Sequence, residues 1–125
     1  MHENDISFLV RKSIFKVYNS LGPGLFESVY VLALCYELKQ LGLRAIREAP
    51  LAMVYEKIKF EAGFRIDILV ENKVIVEVKS IENLAEVHHK QLITYLRLSG
   101  LKLGLLVNFN TTDITGSICR EVNNL

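Results

Sequence analysis

Asp67 lies inside the apolar run Phe64–Val70, and Glu77 lies in the next run, Val74–Val78, with Lys79 immediately after it, giving the pattern Asp-x9-Glu-x-Lys. Charged side chains in segments otherwise built like strands are expensive to bury without partners. Together they form a chemically meaningful set. Two carboxylates supply oxygen ligands for a hard divalent cation, and an ammonium can orient an attacking water and stabilise charge developing on phosphorus. A magnesium-assisted hydrolysis of a phosphodiester needs these groups.

Strand alternation places Arg65, Asp67 and Leu69 on one face and Ile66, Ile68 and Val70 on the other; in the next strand Ile75, Glu77 and Lys79 share a face. A turn over Glu71–Lys73 sets Val70 opposite Val74, hence Asp67 opposite Glu77 and Arg65 opposite Lys79. A shorter turn would mix polar and apolar side chains on both faces, so the hydrophobic pattern selects the first register. Directly opposed carboxylates repel unless something neutralises them, as a bound Mg²⁺ does. The backbone carbonyl of Val78 adds a further potential ligand. The plainer reading is a solvated strand face with Arg65 and Asp67 as cross-strand partners. Glu-x-Lys alone favours that reading, and Asp67 at the opposed position tips the balance to a metal site.

Two helical stretches offer neighbours. Gly24, Glu27 and Tyr30 are spaced by three and line one side of a helix, with Glu27 in its first turn, where a carboxylate also suits the helix dipole. His88, Gln91 and Tyr95 form a stripe that can meet a phosphate or support the carboxylates; an amphipathic helix with its polar side in water gives the same spacing. His89 and Lys90 point elsewhere, into solvent. No second His or Cys stands at zinc-ligand spacing from His88.

The elements that position these groups follow from periodicity. Asn4 or Asp5 caps a first helix whose Ile6, Val10, Ile14, Val17 and Leu21 recur at helical spacing, and Gly22-Pro23-Gly24 stops it. A second helix runs from about Leu25 to Leu41. Its middle, Val29–Tyr36, is apolar all round, which predicts a helix sandwiched between layers. Ala49–Tyr55, Phe64–Val70 and Val74–Val78 read as strands. Asn83 with Glu86 predicts a capping box opening a helix that closes at Gly100. Leu103–Phe109 is a fourth strand, and Thr112–Val122 reads as a short terminal helix. The expected fold is a single α/β domain over residues 1–125, with a mixed four-stranded sheet flanked by helices.

Composition narrows the classes. Half of the 125 residues are hydrophobic, enough for a core, and Lys+Arg 15 against Asp+Glu 14 leaves a formal charge of +1. Any nucleic-acid contact therefore relies on a local patch. Cys35 and Cys119 read as free buried thiols of a reducing compartment. The acidic start and short apolar runs predict neither signal peptide nor membrane span, hence a cytoplasmic protein.

Leu21–Tyr30, Phe64–Val70, Lys73–Lys79, His88-x-x-Gln91-Leu92-x-x-Tyr95-Leu96 and Gly104–Phe109 together resemble the GxxExxY proteins, a branch of the PD-(D/E)XK nuclease superfamily. The resemblance implies a restriction-endonuclease-like α-β-β-β-α-β core, here with an extra N-terminal helix. It implies metal-binding acids at Asp67 and Glu77, a catalytic lysine at Lys79 and a helix acid at Glu27. Gln91 and Tyr95 match the Q-x3-Y element of recombination-type exonucleases. Ile66 stands where the superfamily name has proline, a position that supplies backbone geometry rather than a ligand. The implied activity is metal-dependent phosphodiester hydrolysis, with Mg²⁺ as cofactor, Mn²⁺ as a substitute and DNA as substrate by analogy. A homodimer or a partner protein would add substrate grip to so small a chain. The alternative is a catalytically silent binding or regulatory module on the nuclease fold.

Overall fold

The computed structural model describes residues 1–60 and 64–125 in full, together with the strand backbone through 61–63. The elements are α1 (Glu3–Leu21), α2 (Glu27–Gln40), β1 (Ala45–Tyr55), β2 (Ile58–Val70), β3 (Val74–Lys79), α3 (Glu86–Ser99), β4 (Leu103–Asn108) and β5 (Ile118–Val122), the last preceded by a 3₁₀ turn at Thr115–Ser117. The sheet has five strands in the order β1-β2-β3-β4-β5. Only the β3–β4 pair is parallel, the crossover running through α3. The expected four-stranded sheet thus gains a strand where a terminal helix was read. Ile118–Val122 pairs antiparallel with β4, and its alternating burial is that of an edge strand.

Two cores flank the sheet. Ile6, Val10, Ile14 and Val17 of α1 and Tyr30, Leu34 and Leu38 of α2 pack on Ile68, Val70, Val76 and Val78. On the other face Leu92 and Leu96 of α3 cover Leu69, Ile75 and Leu106. α2 is not sandwiched: Leu32 and Tyr36 are 52% and 61% exposed. Its all-apolar middle therefore buries one face and leaves the other open. Leu21, expected with the α1 stripe, is also exposed.

The caps differ from expectation. His2 caps α1, its Nδ1 accepting from the Asn4 N–H at 2.9 Å. At α3 the N-cap is Ala85, and His88 Nδ1 reaches back to accept the Ala85 N–H at 2.9 Å. His88 therefore serves the helix end instead of Asn83 and Glu86. His89 is only partly solvated: its Nδ1 lies 3.0 Å from Glu121 of β5. Both cysteines are free, Cys35 buried and Cys119 partly so. Among the described residues, no helix is long and apolar enough to cross a membrane.

α3 packs close to the sheet because the second residue of β4 is Gly104. A Cβ there would fall 2.7 Å from Leu92 Cδ1 and 3.0 Å from Leu92 Cγ. Leu92 is fully buried and has nowhere to retreat. Gly104→Ala should cost about 1–3 kcal/mol by overpacking, read as a lower urea midpoint at unchanged slope. An unchanged midpoint would contradict this close packing.

Candidate active site

The register predicted for β2 and β3 is present but ends early. Val70 pairs with Val74, Leu69 with Ile75 and Ile68 with Val76, and there the pairing stops. One more step would bring Asp67 opposite Glu77, where like charges destabilise a ladder. The strands part instead. Arg65, expected opposite Lys79, pairs with Pro50 of β1.

The regular alternation of β2 also breaks at this point. Ile68 and Val70 join the α1–α2 core, whereas Ile66 joins the α3 core with Leu69. In an unbroken strand Ile66 and Ile68 share a face. Across the ladder, between the Arg47–Ile68 and Ala49–Ile66 pairs, Glu48 has φ +52, a left-handed conformation uncommon for a residue with a side chain. Arg65 Nη1 donates to the Glu48 carbonyl at 3.4 Å.

The gap left by β2 is filled by the site. Val78 N–H, which would have bonded to β2, donates to Asp67 Oδ2 at 2.8 Å. In an extended residue N–H and C=O point to the same side, so the Val78 carbonyl also faces the gap. The next carbonyl, that of Lys79, faces the other way and accepts from Phe109 N–H at 2.9 Å.

Glu77 is 6% exposed, and its Oε1 is buried with no hydrogen-bond partner. Burial, the neighbouring Asp67 charge and a hydrogen bond with Asp67 push its carboxyl up to about 9, against partial relief from Lys79. Without another cation Glu77 holds a proton. Tyr95 of α3 overlooks the same pair; burial and the charges of Glu77 and Asp67 raise its phenol, while a hydrogen bond with Gln91 opposes the shift. Its ring stacks on Phe64 at 4.3 Å between centroids. The structure thus brings Asp67, Glu77, Lys79, Gln91 and Tyr95 together, Gln91 acting through Tyr95.

Glu27 approaches from the α2 layer. Its Oε2 accepts the Ser80 N–H at 3.1 Å, and Ser80 Oγ donates to the Leu25 carbonyl. Gly24 lies in the loop before α2 with φ +96, not on the helix face. Tyr30, fully buried, explains its own place in the motif. Its hydroxyl donates to the Gly22 carbonyl at 2.6 Å and accepts from Leu25 N–H, and its ring stacks on Phe109 at 4.2 Å. Tyr30 fixes the loop that delivers Leu25 and Glu27 to Ser80.

Sequence reasoning missed Ser80 and Asn108. Asn108, 5% exposed at the end of β4, accepts from Ile81 N–H at 3.1 Å and donates to the Ile81 carbonyl at 2.9 Å. It clamps the segment just after Lys79. Its signal was a lone amide in an otherwise apolar run. A cleft of 210 Å³ beside the site is lined by Glu27, Ser28, Val31, Arg47, Glu48 and Asp67. Nothing in the pattern marked Arg47 or Glu48, because the left-handed turn of the backbone is a property of the folded ribbon.

Among the described residues no three His, Cys, Asp or Glu side chains converge into a ready metal cage. Magnesium does not need one, since it commonly takes one or two carboxylates and completes its shell with water. The orphaned Glu77 oxygen beside Asp67 fits such an ion.

A family model described as the PD-(D/E)XK nuclease superfamily matches residues 4–121. The chain belongs to that superfamily, and the mixed sheet between helical layers is its restriction-endonuclease-like fold. No curated protein and no solved structure matches the chain.

The Glu77 carboxyl gives a signed pH effect. Folded Glu77 keeps its proton up to about 9, whereas the unfolded group loses it near 4.5. The folded state binds the extra proton, so the stability it contributes falls as pH rises through that window. In EDTA, Tm should decline between about pH 5 and pH 9. Glu77→Gln should flatten the decline and melt higher than the parent at about pH 8. Parallel profiles for the two proteins would contradict this account.

Proposed function

We propose that this protein is a metal-dependent nuclease of the GxxExxY branch, hydrolysing phosphodiester bonds in DNA. The observation that carries the reading is the buried, unpartnered Glu77 Oε1 beside Asp67 at the parting of two strands. A family built around metal-dependent phosphodiester chemistry supplies the context.

In this reading Asp67, Glu77 and the Val78 carbonyl hold Mg²⁺, with Mn²⁺ as a substitute and Glu27 adding a carboxylate from the α2 side. When bound, the ion neutralises the acidic pair, polarises a phosphoryl oxygen and makes water a better nucleophile. Lys79 follows Glu77 by two residues on the same strand face and orients the attacking water while opposing the charge that develops on phosphorus. Tyr95, held by Gln91 and Phe64, offers its hydroxyl to the substrate phosphate. Its raised pKa keeps it a hydrogen-bond donor through the neutral range. Ser80 and Asn108 hold the end of β3 so that Lys79 keeps its place.

Purified protein should cleave linear, branched or single-stranded DNA with Mg²⁺ or Mn²⁺, and not in EDTA. Glu77→Ala and Lys79→Ala should each lower the rate about 100-fold or more. Metal binding without cleavage on any of these substrates would point instead to a silent nuclease-fold binding module.

A further inference from the structure

Two recesses flank the first turn of α2, and they differ in chemistry. The cleft on the Glu27, Ser28 and Val31 side carries Arg47, Glu48 and Asp67. The groove on the other side, 340 Å³, is lined by Gly24, Leu25, Phe26, Val29, Ser80 and Asn110 and carries no ionisable side chain. Phe26 is 83% exposed although it immediately precedes Glu27. Water gains nothing from a phenyl ring held there, and the backbone does not require an aromatic residue at an N-cap that makes no side-chain hydrogen bond.

We infer that this groove receives an unpaired nucleobase of the substrate, stacked on Phe26, next to the phosphate presented to Asp67 and Glu77. The inference rests on the nuclease reading and narrows its substrate to strands with unpaired bases: single strands, overhangs or flaps. Three observations favour a base over other occupants. The groove is continuous with the site through Ser80, whose N–H binds Glu27 and whose hydroxyl binds Leu25. Its lack of charge suits a neutral aromatic ligand, while the groups that would meet phosphate, Arg47 directly and Asp67 through a bound cation, lie in the recess across Glu27. Asn110, whose Nδ2 already donates to the Ile81 carbonyl at 3.3 Å, stands at the rim as a polar group for a base edge. Bases inside a duplex are stacked on one another and cannot reach such a platform, whereas unpaired bases stack on exposed aromatic rings with little regard to identity.

The test is binding without turnover. Fluorescein-labelled oligonucleotides, single-stranded and blunt duplex, are titrated with Ca²⁺ in place of Mg²⁺, a hard cation that neutralises the acidic pair, against the parent, Phe26→Ala and Phe26→Tyr. Phe26→Ala should weaken single-strand binding about 10-fold, leave duplex binding unchanged, and be rescued by Phe26→Tyr. A single abasic nucleotide, scanned along the strand, should at one position make the parent and Phe26→Ala bind equally. The exposure of Phe26 means that its truncation leaves the core intact, which thermal melting checks directly. No single-strand binding by the parent, equal losses on both substrates, or no loss on either would overturn the inference, and a protein partner would then be the better occupant. Cleavage assays separate the two readings. Phe26-dependent binding without any metal-dependent cleavage removes the nuclease and keeps the base site, whereas cleavage indifferent to Phe26→Ala on both substrates does the reverse.

Discussion

The site depends on the early parting of β2 from β3. Pairing through Ile68–Val76 is strong enough to fix register, and pairing one step further would press Asp67 against Glu77. Ending the ladder there relieves like-charge repulsion and frees the Val78 amide, which Asp67 then binds in place of a strand partner. It also opens a slot in the sheet through which both helical layers reach the same spot. Glu27 comes from the α2 side and Tyr95 from the α3 side. A sheet paired to its end would hold the two layers apart.

Repulsion between the acids parts the strands, but it does not place the groups around the gap. The ties are neutral. Tyr30 locks the glycine-rich loop and stacks on Phe109, Ser80 joins that loop to the end of β3, and Asn108 grips Ile81 from the neighbouring strand. Gly104 lets α3 approach closely enough for Tyr95 to overlook the acids. The left-handed Glu48 belongs to the same set: the ribbon changes face opposite Asp67, and non-glycine residues in that conformation persist only where their surroundings over-determine them. Stability is thus spent at Glu77 and recovered in the packing around it, a pattern typical of sites poised for a ligand.

Much of this was legible in the sequence because it rests on short-range rules. The period of two in Phe64–Val70 and Val74–Val78 gave the correct register; helical spacing found α1, the apolar stretch between glycine stops found α2, and the segment ending at Gly100 was read as α3 although its cap is Ala85 with His88. The misses share a cause. Thr112–Val122 looks helical in isolation, and only the exposed edge of β4 makes its last five residues a strand. The apolar middle of α2 suggested burial on all sides, but nothing beyond the α1–α2 core covers Leu32 and Tyr36. Ile66 and Ile68 were assigned one face because alternation assumes an unbroken strand, and the break at Asp67 arises from tertiary geometry. Tyr30 was visible as part of a spaced motif, yet its role in fixing a loop required knowing where Gly22 and Leu25 lie.

The central claim is that Glu77 exchanges a proton for a metal ion. Calorimetric titration of Mn²⁺ into the protein at about pH 7, in two buffers of different ionisation enthalpy, measures it directly, since metal binding to a protonated ligand must release that proton. The account predicts close to one proton released per ion bound, and Glu77→Gln should lose both the release and most of the affinity. Tight binding with no proton released, or unchanged binding to Glu77→Gln, would contradict it.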